Sequence, residues 1–157
     1  MFLARLQKRV TSATPVGVGC LAGYRLLFNK RSDDGSSKCN IVSTGNTLDS
    51  VMGVVFEFNE DEMVNLNCAE KGYEQKMVPI STEAGAVPAL AYVASKDTVE
   101  SLLPYSWYRD YVLAGARQHG LPASYIASVI EPVGSTSDPN AARAVRHQRV
   151  MGKYADA

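Results

Sequence analysis

The stretch VMGVVFEFNEDEMVNLNCAEKGY, residues 51–73, predicts a strand that leads into an amphipathic helix. Residues 51–58 are apolar almost throughout, which is typical of a strand covered on both faces, so we expect it to be central in its sheet. Asn59 is the predicted N-cap of the helix, and Glu62, three residues later, completes a capping-box pattern. Gly72 is placed to end the helix, because glycine readily adopts the left-handed conformation that follows a last helical turn.

The sequence on either side supplies further elements of both kinds. The predicted strands are residues 16–28, as one bent strand or two short ones, and residues 40–43, 75–81 and 89–94. The predicted helices are residues 2–10, 105–119 and 123–131. Strands precede most of the helices along the chain, which favours an α+β fold: a mostly antiparallel sheet or small barrel with surrounding helices. No GxGxxG follows a strand, so a nucleotide-binding fold is not indicated.

One domain is expected from the length of 157 residues. We predict that residues 1–132 form this domain. Residues 133–157 are polar and small, with one further helix around residues 141–150, and we interpret them as a poorly ordered or weakly docked tail.

The charge balance gives no reason to expect nucleic acid or an anionic membrane as partner, because sixteen basic residues balance sixteen acidic ones. Short basic runs at residues 8–9, 30–31 and 143–149 are interpreted as solvated surface. Three widely spaced cysteines favour a reducing compartment, and the N-terminus has no signal-peptide pattern, so we expect a cytoplasmic protein. No CxxC or HxxxH pair occurs, and neither a metal site nor a cofactor is predicted.

Three segments, in this order, resemble the γ-glutamylcyclotransferase family. The first comprises residues 25–41 and 51–56, which are similar to the family's Phe-x-x-x-Ser, Asn-Ile and Val-x-Gly-Val run. The second, residues 66–73 with the sequence LNCAEKGY, is similar to its Leu-Asp-x-x-Glu-Gly and following Gly-Tyr. The third, residues 104–108 together with 115–125, matches its Tyr, Gly-Ala and Gly-Leu-Pro-x-x-Tyr pattern.

This resemblance covers roughly residues 2–131 and implies the family's fold and activity. The activity would be that of a lyase or acyltransferase that converts a γ-glutamyl amine or peptide into 5-oxoproline. The resemblance implies Glu70 as the catalytic acid and base, and Tyr73, Tyr92 and Tyr108 as substrate-binding residues. Cyclisation by the substrate's own amine requires neither metal nor cofactor. The expected partner is a small γ-glutamyl molecule, and a homodimer is left open.

Each of these residues also has a purely structural interpretation. A glutamate in a last helical turn is commonly a solvated surface residue, and isolated tyrosines are commonly core residues with a bonded hydroxyl. Cys39 has no basic partner in its local sequence, which argues against a nucleophilic role. Ser32 and Asn40 are interpreted as hydrogen-bonding loop residues, and His119 as a residue that favours the dipole at the end of a helix.

Departures from the family pattern leave a second function open. Asn67 stands where the family has aspartate, and Lys71 where it has glycine. The family's first strand ends in Tyr-Gly-Ser-x-Leu, whose turn offers backbone N–H groups to the substrate, and this sequence begins at Met1, where that motif would end. We therefore expect little turnover from this form, and more turnover and stability when such a strand is present. The alternative is a non-catalytic or truncated member of the fold that acts as a small-molecule binding module.

Overall fold

Six strands form two antiparallel sheets within residues 2–152, the part of the chain that this computed structural model describes. The strands are β1 (Thr14–Ala22), β2 (Tyr24–Arg31), β3 (Ser37–Ser43), β4 (Ser50–Glu57), β5 (Glu74–Thr82) and β6 (Gly85–Val93). One sheet has the order β4-β1-β5-β6, and β2 pairs with β3 in the other. Met1 and residues 153–157 lie outside the described residues, and so does the corresponding end of the predicted tail.

Helices and helical turns flank these sheets. They are α1 (Leu3–Leu6), a 3₁₀ turn (Glu60–Glu62), α2 (Met63–Ala69), α3 (Ser106–Gln118), α4 (Ala123–Tyr125), a π-helical turn (Ile126–Ile130) and α5 (Ala141–Gly152). The combination confirms the predicted α+β class with mostly antiparallel strands and surrounding helices. No helix among residues 2–152 has the length and apolar character needed to span a bilayer.

β4 lies at an edge of its sheet, so the central position predicted for residues 51–58 is wrong. Among the described strands it pairs with β1 alone. Its side chains are nevertheless partly buried, because Met52 and Val54 pack against the core cluster around Phe28 and Ile126, and β2 lies against β4. The apolar run therefore reflects cover by the second sheet and by helices, and not a strand neighbour on each side.

The main core cluster joins β2 to α3 and to the turns that follow it. Its buried members are Phe28, Val112, Ala116, Leu121, Ile126 and Ile130. Each large apolar side chain buried in this way stabilises the fold by about 1.5–3 kcal/mol. A second cluster, in which Phe2 packs with Tyr105, Trp107 and Tyr111, fastens α1 to α3.

Glu62 does not close a capping box, because neither it nor Asn59 makes a side-chain hydrogen bond that caps the helix. Its carboxylate instead accepts hydrogen bonds from Thr11 N at 2.7 Å, Thr11 Oγ1 at 2.8 Å and Ser12 N at 3.0 Å, and from the Ser12 hydroxyl. These bonds, chiefly those from Ser12, lower the pKa of Glu62 to about 2. Glu62 therefore ties the start of α2 to the turn that precedes β1.

Gly23 separates β1 from β2, so residues 16–28 form two strands, the second of the two predicted alternatives. Its φ of +77° lies in the left-handed region, where glycine carries no Cβ penalty. α1 is shorter than the predicted helix over residues 2–10: it ends at Leu6 and continues as turns.

Asn40 joins the two sheets. Its side chain is buried on β3, where Oδ1 accepts a hydrogen bond from Ala94 N at 2.9 Å and Nδ2 donates to Ala94 O at 3.0 Å. Nδ2 also donates to Asn29 Oδ1 at 3.2 Å. The side-chain amide of Asn40 thus pairs with both backbone groups of Ala94, the residue that follows β6. It was predicted to be a hydrogen-bonding loop residue, and it is a hydrogen-bonding residue of a strand.

Candidate active site

A cavity of about 660 Å³ opens between α1, the connection from β2 to β3, the turn after α2, and helices α3 and α5. This volume is in the range of small-molecule sites. Among the described residues, seven cationic side chains line it against four carboxylates. The cavity walls also include the rings of Tyr73, Trp107, Tyr108 and Tyr111, so the site combines aromatic surface with a positive charge.

Glu70 lines this cavity at the C-terminal end of α2. The helix ends here because Gly72, with a φ of +78°, reverses the chain, and Tyr73 N donates to Glu70 O at 3.1 Å. Glu70 Oε1 accepts a hydrogen bond from Arg9 Nη1 at 3.0 Å, and the side chain is 25% exposed. Oε2 makes no hydrogen bond with residues 2–152, so one carboxylate oxygen is free to exchange a proton with a ligand.

Tyr73 and Tyr108 line the same cavity and hold the backbone of β3 between them. Tyr73 donates its hydroxyl hydrogen to Cys39 O at 2.7 Å, and Cys39 N donates to Tyr108 Oη at 3.1 Å. Burial raises the pKa of both phenols, so both are protonated at neutral pH. Both residues thus form part of the cavity wall, while their hydroxyls are bonded to the backbone of β3.

Tyr92 is not among the residues that line the cavity. It lies on β6, where its hydroxyl donates to Asn67 Oδ1 at 2.5 Å, and Gln75 Nε2 donates to the same oxygen at 2.5 Å. The structure therefore brings Glu70, Tyr73 and Tyr108 together and places Tyr92 elsewhere. Asn67, one of the departures from the family pattern, serves this separate hydrogen-bond cluster.

The remaining sequence candidates fall into different places. Burial raises the pKa of Cys39 to about 11, so it is a neutral thiol at physiological pH, a poor nucleophile. Ser32 lines the cavity, and its backbone N–H donates to Ser36 O at 3.0 Å. His119 lies at the end of α3, with its ring edge-on to Phe56 at 5.5 Å, outside the cavity lining.

Sequence reasoning missed the cationic part of this site. Lys30 was assigned to solvated surface, yet it is only 7% exposed, and its Nζ donates to Arg31 O at 2.6 Å. The assignment was wrong because β2 continues beyond Phe28 to Arg31. Lys30 is therefore a strand residue, and its side chain lies against Gly72 in the turn that follows Glu70. Extending the predicted strand through the basic run would have indicated an inward-facing lysine.

Arg9, in the basic run at residues 8–9, was likewise assigned to solvated surface, and no role was predicted for Arg5. Both line the cavity, because α1 docks onto α3 through Phe2 and through a hydrogen bond from Leu3 N to Gln118 Oε1 at 3.2 Å.

Among residues 2–152 no group of three or more His, Cys, Asp or Glu side chains is arranged to hold a metal ion.

Solved structures share this fold. A structure described as gamma-glutamyl cyclotransferase is 19% identical, with a TM-score of 0.80, and the match covers 94% of this chain and 92% of that one. A human protein described as uncharacterized protein loc79017 is 23% identical, with a TM-score of 0.78 and the same coverage. YkqA from Bacillus subtilis is 17% identical, with a TM-score of 0.68, over 85% of this chain and 50% of that one. The chain therefore has a γ-glutamylcyclotransferase-like fold.

The family of this chain is identified by comparison of its sequence with models of protein families. Residues 50–129, just over half of the chain, match the AIG2-like family. The chain therefore belongs to the AIG2-like family. A comparison with curated proteins gave no match.

Proposed function

We propose that this protein is a γ-glutamylcyclotransferase that releases 5-oxoproline from a γ-glutamyl amine or peptide. The observation that carries the proposal is the position of Glu70: its carboxylate, with one oxygen unbound by protein, lines a cavity together with Tyr73 and Tyr108. The family membership and the fold are compatible with this activity, and the chemistry is argued from the residues of the site.

The reaction requires two protons to move from the α-nitrogen of the substrate to its leaving nitrogen. Glu70 takes a proton from the substrate's α-ammonium group, and the freed amine attacks the γ-carbonyl carbon to form the ring C–N bond. The bond from that carbon to the leaving nitrogen breaks as Glu70 returns this proton to it. The ring nitrogen then loses its second proton to Glu70, which passes that proton to the released amine, so that the amine leaves as an ammonium. Atoms and charge balance without an added reactant. A carboxylate placed for both transfers contributes about 10²–10⁴-fold in rate.

Positioning supplies the rest of the proposed catalysis. Nucleophile and electrophile belong to one molecule, and a near-attack pose of the two gains roughly 7–11 kcal/mol over the same reaction between separate molecules. The protein supplies the part of this gain that comes from fixing the flexible substrate in that pose. We propose that the rings of Tyr73 and Tyr108 hold the substrate against Glu70. Their rigidity supports this role, because both hydroxyls are fixed to β3.

The test is Glu70→Gln, with 5-oxoproline release from γ-glutamyl dipeptides as the readout. Glutamine keeps the shape and can still accept the Arg9 hydrogen bond, but it cannot exchange a proton at neutral pH. We expect turnover to fall by about 10²–10⁴-fold with an unchanged near-UV circular dichroism spectrum. Glu60→Gln, on the exposed turn before α2, is the matched control. Turnover that survives Glu70→Gln would remove the assignment.

A binding module of the same fold is the second candidate. The Arg9–Glu70 ion pair favours it, because one carboxylate oxygen is already occupied by a cation. In that case the wild-type protein would bind a γ-glutamyl dipeptide, measured by calorimetry, and release no 5-oxoproline.

A further inference from the structure

The Arg5 guanidinium stands in the cavity against three aromatic rings. Its Cζ atom is 4.9 Å from the ring centroid of Tyr111, 5.6 Å from that of Tyr108 and 5.7 Å from that of Trp107. Its Nη1 is closed off from solvent and has no hydrogen-bond partner among residues 2–152. Aromatic faces attract a cation but cannot accept hydrogen bonds as a carboxylate does, so the guanidinium is held in place while its donors remain unused.

Three other cations of the cavity lining form ion pairs with carboxylates. Arg9 binds Glu70 at 3.0 Å, Lys38 binds Asp34 at 2.8 Å, and Arg143 binds its own aspartate partner outside the cavity lining. Arg5 has no ion-pair partner among the described residues. A buried charged donor without an acceptor is costly, and the two carboxylates of the cavity lining that form ion pairs, those of Glu70 and Asp34, bind Arg9 and Lys38. The missing acceptor is therefore expected from a ligand.

The positive charge of Lys38 also favours the binding of an anion beside Arg5. Its ammonium lies over two of the three rings that Arg5 contacts, 5.2 Å from the Trp107 centroid and 4.9 Å from the Tyr108 centroid. Two cations therefore share one aromatic surface, and of the two only Lys38 pairs with a carboxylate, that of Asp34. An added anion would relieve their repulsion.

We propose that Arg5 binds a carboxylate group of the ligand that occupies the cavity. The planar guanidinium fork matches a carboxylate in two parallel hydrogen bonds, and the rings pre-organise it for that contact. The identity of the ligand rests on the proposed function. A γ-glutamyl compound carries a carboxylate on its glutamyl half, and a second on the released half when that half is an amino acid or peptide.

Ligand binding can be followed without any turnover. Trp107 is the single tryptophan of the protein and contacts Arg5, so its fluorescence reports on the site. The affinity of 5-oxoproline is compared with that of its carboxamide to probe recognition of the glutamyl half. The affinity of N-acetylalanine is compared with that of N-acetylalaninamide to probe recognition of the released half. We expect at least one acid to bind at least about 10-fold more tightly than its amide. Equal affinities within both pairs overturn the proposal, and this comparison needs no variant.

Variants then assign the effect to Arg5. Arg5→Gln is expected to weaken the preferred acid by about 10-fold or more, and Arg5→Lys by less, because lysine keeps the charge and loses the fork. Arg25→Gln is the matched control, since Arg25 is 63% exposed, pairs with Asp49 and does not line the cavity. Circular dichroism confirms that each variant is folded. An unchanged affinity in folded Arg5→Gln overturns the proposal.

Failure of the proposed reaction would look different. Arg5-dependent binding of an acid, with no 5-oxoproline released from γ-glutamyl dipeptides by the wild type, supports the carboxylate site and removes the enzymatic activity. Turnover that persists in Arg5→Gln with unchanged KM and unchanged acid binding supports the activity and overturns the role of Arg5.

Discussion

Gly72 and Lys30 meet at the turn that carries Glu70. A Cβ atom at Gly72 would lie 2.8 Å from Lys30 Nζ and 2.9 Å from Lys30 Cε, and the backbone φ of +78° is one that side chains disfavour. The left-handed conformation therefore favours glycine at this position, and any larger residue would also displace the end of the Lys30 side chain.

We predict that Gly72→Ala lowers the free energy of unfolding by about 1–2 kcal/mol from the left-handed backbone alone. It should also displace Lys30 and shift the turn that positions Glu70, with a loss of any 5-oxoproline release. Urea denaturation measures the first effect. Gly53→Ala is the control, because its added Cβ meets no atom within 4 Å and its φ is not positive. A fully stable Gly72→Ala protein would contradict the argument.

At the scale of elements, the Asn40 amide closes β3 onto the segment that leaves β6. Its replacement by alanine would leave both the N–H and the C=O group of Ala94 without their partner in a buried environment. Each such group costs about 1–3 kcal/mol, so we expect Asn40→Ala to destabilise the protein by about 2–4 kcal/mol in thermal or urea unfolding.

Asn46→Ala provides the comparison for this prediction. Asn46 Oδ1 also accepts a backbone hydrogen bond, from Leu48 N at 3.1 Å, but in an exposed loop where water can replace it. We expect a loss below about 1 kcal/mol there. Equal losses at the two positions would show that Asn40 does not hold the sheets together.

α5, which lies where a helix was predicted in the tail, contacts α3 through a stacked pair of rings. The His147 ring lies 3.8 Å from that of Trp107 at an interplanar angle of 11°. Desolvation, together with the positive charges of Arg5 and Arg146, lowers the pKa of His147 to about 4 from 6.5. The helix therefore packs with a neutral imidazole.

The sign of the pH effect follows from this shift. Below pH 6.5 His147 is protonated in the unfolded chain, whereas in the folded protein it stays neutral down to about pH 4. The contribution of this contact to the free energy of unfolding is therefore complete above pH 6.5 and declines toward pH 4. We expect the Trp107 fluorescence of the folded protein to change near pH 4. We also expect the thermal stability of wild type to fall more steeply than that of His147→Gln between pH 6.5 and 4. Parallel curves would contradict the prediction.

At the scale of the whole molecule, we predict that a chelator leaves the melting temperature and any 5-oxoproline release unchanged. The proposed cyclisation is intramolecular and moves only protons, and the sequence has no paired Cys or His motif. Cys20, Cys39 and Cys68 are free thiols, so addition of reductant should be equally without effect. Differential scanning calorimetry with and without chelator checks this. A lowered melting temperature would indicate a structural metal.

Local patterns were sufficient for much of the architecture. Gly72 marks a helix end, the apolar runs mark strands, and the position of Glu70 in the last helical turn follows from the predicted helix bounds. Tyr73 could be expected near Glu70 because only Lys71 and Gly72, which form one turn, lie between them. These features depend on residues close together in sequence, whose conformational preferences act before any long-range contact forms.

The assembled site required contacts between segments far apart in sequence. Whether a charged side chain is solvated or buried depends on what packs over it, as Lys30 shows, which lies in a basic run that resembles ordinary surface. Tyr92 and Tyr108 are equivalent as isolated tyrosines, yet one bonds Asn67 and the other lines the cavity. Composition and periodicity specify which face of an element is apolar. Only the packing of α1, β2 and α3 against one another fixes which polar groups share a cavity, because that depends on burial and on partners contributed by distant segments.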